Sequence, residues 1–281
     1  QVKIWGLNQY GELGQGHNNR LGDGPGEMGD NLAAVDLGAG RTAIAITAGE
    51  YHYAVILDDG TVKTWGRGNY GQLGQEHNSN IGDASNEMGS YLPSVNIGTG
   101  RTAIAIDAGY NHTTVIMDNG KVKTWGLNDR GQLGQGNTNN IGDNAGKMGD
   151  ALSAIDLGTG RVVLGISGGS DYTSVILDDC TVKAFGFNLA GELGIGNNTT
   201  IGDGSGEMGN NLASVDLGTG ICAATTALSI TIDNTPPTVT FSPVNGATSV
   251  SLSANVLISF NEAIRNTDNS VLTDSNVDGL I

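Results

Sequence analysis

Cysteine is nearly absent from this 281-residue sequence, with only Cys180 and Cys222. Two thiols allow at most one bridge, so a disulfide-stapled framework is excluded. Basic residues are also scarce, at 13 against 29 acidic ones, giving a formal charge of −16. Such an excess repels phosphate backbones and argues against nucleic acid as a partner. No run approaches the roughly 18 apolar residues of a helical membrane span, and no signal peptide opens the chain. Because Gln1 already lies inside a repeat, the natural beginning is expected to lie upstream or to have been removed. Proline is rare at 5 residues, whereas glycine reaches 46. With 38% hydrophobic residues the composition is not that of a disordered chain. The glycines do not recur every third position, which excludes collagen and leaves many tight turns between short strands.

Self-similarity decides the architecture. The segment Val2–Gly6 (VKIWG) returns at Val62, Val122 and Val182, each step being 60 residues. A second block follows each copy, GELGQG from Gly11, GQLGQE from Gly71, GQLGQG from Gly131 and GELGIG from Gly191. A third block ends at Asp23, Asp83, Asp143 and Asp203, and Met28, Met88, Met148 and Met208 each precede a glycine. Within one period, residues 41–49, 51–60 and 61–66 carry strand signals, and Leu32 opens a shorter fourth apolar segment. Asp59-Gly60 and Asn119-Gly120 are two-residue hairpin signals, since both central residues must take positive φ. No window has helical periodicity. The fold class expected is therefore all-β: a propeller built from four 60-residue repeats, four-bladed or part of a larger ring. The Ala-rich AIAI segments suit strands near a crowded axis.

The combination VKxWGxNxxGQLGxG, followed by a glycine-flanked strand and H-[YT]-[AT]-V, resembles the regulator of chromosome condensation repeat. The GDxxxxMG block makes it similar to a longer bacterial version. The resemblance covers residues 1 to about 220 and implies a β-propeller, commonly seven-bladed, that presents loops to partners. The sequence lacks the cysteines that bacterial relatives carry near Ala54 and Thr64. It keeps the family's histidine at His52 and His112, and has Tyr172 in the third position. The repeats are expected to occupy residues 1–233. The fourth copy decays after Gly220, and residues 221–233 either pair with the N-terminal strand or exit the propeller. Beyond the prolines of residues 234–237, the alternating stretch resembles the start of a bacterial Ig-like domain. Residues 234–281 fall short of the about 100 residues of such a sandwich, so they form a partial β-sandwich, cut short or completed by another chain.

No catalytic constellation survives the repeat test, because every prominent polar residue recurs at the 60-residue step. His17, His77, His52 and His112 never adopt zinc-ligand spacing. Neither G-x-S-x-G nor a phosphate-binding glycine loop occurs. No cofactor is expected. Asp23, Asp83, Asp143 and Asp203 are Ca²⁺ candidates through carboxylate and backbone oxygens, against the reading that each caps the amides of its own turn. Trp5, Trp65, Trp125 and Phe185 are expected to wedge neighbouring blades together, and the glycine after each suggests close backbone approach. Partner specificity is expected where the copies disagree: Gln9 and Tyr10, Asn69 and Tyr70, Asp129 and Arg130, Leu189 and Ala190.

The sequence alone favours a non-enzymatic, secreted or surface-displayed recognition scaffold that binds protein or glycan. One alternative is a self-assembling structural subunit completed by strand exchange. Another is a guanine nucleotide exchange factor-like regulator of a small GTPase, carried by fold analogy only.

Overall fold

The computed structural model describes residues 1–218 together with the strands Val239–Ser242 and Leu257–Phe260. The chain divides into two compact units, Gln1–Ala223 and Ala224–Ile281. In the first, each repeat boundary yields one three-stranded antiparallel sheet: β1 (Ala43–Ala48), β2 (His52–Leu57) and β3 (Val62–Gly66), then β4 (Ala103–Ala108), β5 (His112–Met117) and β6 (Val122–Gly126), then β7 (Val163–Gly168), β8 (Tyr172–Leu177) and β9 (Val182–Gly186). The sheets therefore straddle the 60-residue frame. The last apolar segment of one copy pairs with the VKxWG strand of the next. Four copies close only three sheets among the described residues, fewer than the four expected blades. In the second unit, β10 (Val239–Ser242) pairs antiparallel with β11 (Leu257–Phe260). The rest of the segment expected as Ig-like, and the expected strand within residues 221–233, lie outside the described residues.

The fourth expected strand does not form. In each copy it makes one ladder-like bond, from the amide of Val35, Val95, Ile155 or Val215 to the carbonyl of Val2, Val62, Val122 or Val182. Directly after Val35, Asp36 Oδ1 accepts the amide of Gly38 at 2.9 Å, and Asn96, Asp156 and Asp216 repeat this turn. Side-chain capping thus bends the chain away before a second rung. The apolar side chains still enter the core: Leu32 is buried, and Val35 and Leu37 are buried in one cluster with Trp65 and Leu73.

Contact between copies is made by backbone against backbone. A Cβ on Gly11 would lie 2.3 Å from the Asp83 amide nitrogen, and Gly71 and Gly131 stand in the same relation to Asp143 and Asp203. The GD turn of each copy thus lies flat on the GxLG turn of the copy before it. Beside this contact, Gly14 leaves room for the Trp65 indole and the Met88 methyl, both about 3.0 Å from where its Cβ would be. The indole Nε1–H of Trp65 donates to the carbonyl of Glu12, and that of Trp125 to Gln72, each at 3.0 Å. Trp65, Trp125 and Phe185 are completely buried, whereas Trp5 is 59% exposed.

The carboxylates expected to cap the GD turns are not the aspartates. Glu27, four residues on from Asp23, accepts the amides of Gly22 and Gly24 through one oxygen at 2.7 and 2.9 Å. Glu87 and Glu207 do the same in their copies. In the third copy this residue is Lys147, whose Nζ turns instead to Asp143 at 2.8 Å and the carbonyl of Asn140. A carboxylate from the previous copy reaches the same turn at other amides: Glu76 Oε1 accepts those of Gly146, Lys147 and Met148 at 2.7, 2.9 and 3.1 Å. To reach them Glu76 holds φ +60°, where the other copies have Gly16, Gly136 and Gly196.

Two stability outcomes are expected from urea unfolding. Gly71→Ala is expected to cost more than about 2 kcal/mol, because left-handed strain adds to a backbone collision. Gly100→Ala, at φ +67° in open space, is expected to cost only the about 1–2 kcal/mol of strain. Glu76→Gly is expected to destabilise by about 1 kcal/mol, although glycine is what the other copies carry, because three amides lose their acceptor. Adding Lys147→Glu, which supplies the Gly142 and Asn144 amides with the acceptor that the other copies use, is expected to offset part of that loss; additive losses in the double variant would refute the compensation.

Candidate partner-binding face

The residues that differ between copies sit on brackets of similar geometry. The amide of Tyr10 donates to the Glu12 carboxylate at 2.7 Å, and those of Tyr70, Arg130 and Ala190 donate to Gln72, Gln132 and Glu192 at 2.8–2.9 Å. Asn8, Asn128 and Asn188, all fully buried, accept the amide of the following leucine and donate to the loop ahead. The second copy replaces this asparagine with Gly68, whose Cβ position is filled by the carbonyl of Ser79. These brackets hold Gln9, Asn69, Asp129 and Leu189 exposed at the loop tips, with Tyr10 and Tyr70 half-buried and Arg130 and Ala190 exposed.

The tips meet side chains of the next copy. Arg67 lies 5.0 Å from the ring centre of Tyr10, 5.3 Å from Tyr70 and 5.7 Å from Tyr51. Tyr10 and Tyr51 meet edge to face at 5.2 Å. Between the third and fourth copies the partners exchange roles, and Arg130 stands 5.5 Å above the Phe187 ring. A cation–aromatic contact is thus kept with its two halves swapped. Asp171 lies close by, and burial first, then the charge of Asp129, pushes its carboxyl up from the usual range.

Next to this face, β2, β5 and β8 begin with the buried residues that join copy to copy. Thr113 gives its hydroxyl proton to the carbonyl of Gln72 at 2.9 Å, so its oxygen accepts the Nε2–H of His52 at 3.0 Å. His112, Thr173 and Gln132 repeat the chain. Each imidazole is thereby held as the Nε2–H form with a buried Nδ1 that has no donor. Gly49 and Gly109 make room for the rings, since a Cβ there would fall 2.2 and 2.0 Å from the imidazole Cε1. Asp107 ties three sheets at once, accepting Thr47 Oγ1–H at 2.9 Å and the amide of Gly168 at 2.8 Å.

The repeating lysines carried no signal in the sequence reading, yet Lys63, Lys123 and Lys183 are buried. Their ammonium groups donate to the carbonyls of Gly89, Gly149 and Gly209, residues that open the short 3₁₀ turns after each methionine. The fixed 26-residue offset from each lysine to its glycine was visible in the repeat. Nothing in a charged side chain alone marks it as buried. Of the Ca²⁺ candidates, Asp83 and Asp143 pair with Asn80, Asn144 and Lys147, and Asp203 is pushed up by burial and by Glu207. Among the described residues no group of three or more His, Cys, Asp or Glu is placed to hold a metal ion. No described helix is long and apolar enough to cross a membrane.

Burial drives the pKa of His52 down to about 3 and that of His112 to about 4. In the unfolded chain both titrate near 6.5. Stability is therefore full above about pH 6.5 and falls as the pH drops toward the folded values, where only the unfolded chain takes up protons. We expect each histidine to cost on the order of 1 kcal/mol between pH 7 and 5. His112→Tyr, which installs the residue of the third copy, is expected to flatten the pH dependence of the urea midpoint; an unchanged slope would refute the assignment.

The family model described as the Regulator of chromosome condensation (RCC1) repeat matches residues 43–72, 59–116 and 103–132. A Caenorhabditis elegans protein, X-linked retinitis pigmentosa GTPase regulator homolog, is 38% identical over 82 residues, 28% of this chain and 5% of that protein. The crystal structure of human WBSCR16 superposes with a TM-score of 0.53 at 16% identity, covering 71% of this chain and 45% of that one. Yeast RCC1 (Prp20), solved bound to Kap60, is matched at a TM-score of 0.43 and 19% identity, covering 57% of this chain and 33% of that one. The chain thus spans less than half the length of these relatives. They correct the sequence reading: the matches are eukaryotic RCC1-type proteins, which overturns the bacterial version and the Ig-like recognition. The secreted or cell-surface location and the surface protein or glycan partner fall with it, since the curated relative is a GTPase regulator homologue. The family model covers the first two of the three sheets, and the third repeats their strand order and register.

Proposed function

We propose that this chain is a non-catalytic regulator that binds a small GTPase through its loop face and promotes nucleotide exchange. The observation that carries this reading is the 82-residue likeness to a GTPase regulator homologue. The three sheets are read as consecutive blades of a β-propeller, with the repeat region running over residues 1–233. Gln9, Tyr10, Asn69, Tyr70, Asp129, Arg130, Leu189 and Ala190 form the binding face. Two properties support this choice. The residues differ between copies while their supports keep a similar geometry, and they include Tyr and Arg, the types that dominate protein interface energetics. Trp5, Trp65, Trp125 and Phe185 serve packing.

The test is fluorescent-GDP release from a panel of purified small GTPases, with binding followed in parallel on immobilised chain. At least one GTPase is expected to bind and to release GDP faster. The paired variant Asp129→Ala and Arg130→Ala is expected to weaken binding by about tenfold or more without lowering the unfolding midpoint. Failure of every GTPase to bind in either the GDP-bound or the nucleotide-free state would overturn the proposal.

A further inference from the structure

Most cations of this acidic chain are already committed. Arg41, Arg101 and Arg161 pair with Asp58, Asp118 and Asp178, and the buried lysines are spent on carbonyls. Arg67 is different. Its guanidinium is flanked by three tyrosine rings. Its Nε–H is buried with no acceptor, and among the described residues it forms no salt bridge. A guanidinium offers five N–H donors in a planar fork that matches a carboxylate edge to edge. Three rings within 5.0–5.7 Å of the guanidinium carbon restrict its motion and lower the entropy lost on binding. The fold does not require the group, because the same position holds Leu7, Leu127 and Phe187 in the other copies.

We propose that Arg67, held by Tyr10, Tyr51 and Tyr70, is a receptor for a single carboxylate on a protein partner. The surroundings select the rest of that partner. Glu50 lies beside Tyr51, raising its phenol above the usual range, and Asp129 and Asp171 lie further along the same face. These carboxylates, with the net charge of −16, repel a polyanion. They favour an Asp or Glu flanked by Lys or Arg. The proposal rests on the loop face being the binding face, but not on the partner being a GTPase.

The test is NMR titration of the full chain, following the Arg67 Nε–H resonance, with the peptide acetyl-KKEKK-amide, its glutamine counterpart acetyl-KKQKK-amide and a single-stranded oligonucleotide. The glutamate peptide is expected to shift this resonance and to bind about tenfold tighter than the glutamine peptide. Arg67→Leu, which installs the side chain of the first and third copies, is expected to abolish that preference while keeping the fold. Arg20→Gln, at an exposed arginine, is expected to keep it. Equal binding of the two peptides, a preference that survives Arg67→Leu, or tightest binding of the oligonucleotide would each overturn the proposal. A GTPase panel that fails while the glutamate preference holds would sink only the regulatory reading.

Discussion

Everything in the repeat region depends on one contact, the seating of a GD turn on the GxLG turn of the copy before it. With Gly71 in van der Waals contact with the backbone of Asp143, the two copies approach as closely as peptide planes allow. That closeness carries the Trp125 indole to the carbonyl of Gln72 and the Met148 side chain into the core around it. No side chain larger than hydrogen is compatible with the approach, so the glycine content is a packing requirement as well as a turn requirement. Burial of an indole and its neighbours then stabilises each junction by several kcal/mol, at about 25 cal/mol per Å² of apolar area.

A division of labour follows along each 60-residue period. Residues that recur are consumed by the junctions: tryptophan as wedge, lysine as donor to the 3₁₀ turn, histidine and threonine as a buried chain, glutamate as turn cap. The loop tips are relieved of structural duty because the Glu12, Gln72, Gln132 and Glu192 side chains hold their backbones from beneath. A tip is therefore free to carry tyrosine in one copy and arginine in another with no change of conformation. Partner recognition of the kind we infer needs this arrangement, in which the contact residues vary and the frame beneath them does not.

The periodicity and three of the four expected strands per period were legible because they rest on pattern and size. The hairpin glycines Gly60 and Gly120 take the expected positive φ, but Asp59 and Asn119 do not, and their side-chain oxygens instead accept the amides of Thr61 and Lys121. The fourth strand was misread because apolar content alone does not distinguish a laddered segment from one bent away by Asp36 and its equivalents. The turn cap was assigned to Asp23 rather than Glu27, since a five-residue reach from carboxylate to amide has no short-range signature. The phase of the sheets was hidden as well: strands join across copy boundaries, so among the described residues four copies yield three sheets. Arg67 stood outside the sequence reading altogether, because its three rings come from residues 10, 51 and 70, which only the junction between copies brings together. Compartment and partner were misread for another reason, since surface acidity and an alternating tail fit many settings and name none.

The carboxylate of Glu76 crossing to the Lys147 turn shows that the copies have ceased to be interchangeable. Where the downstream turn carries its own glutamate, Glu87 or Glu207, the upstream position is glycine, Gly16 or Gly136; where it carries Lys147, the upstream position is Glu76 in a left-handed pose. The two changes lie 71 residues apart and are legible solely as a pair. The array therefore has a syntax: copies cannot be deleted, duplicated or transposed around this junction without orphaning one half of the pair.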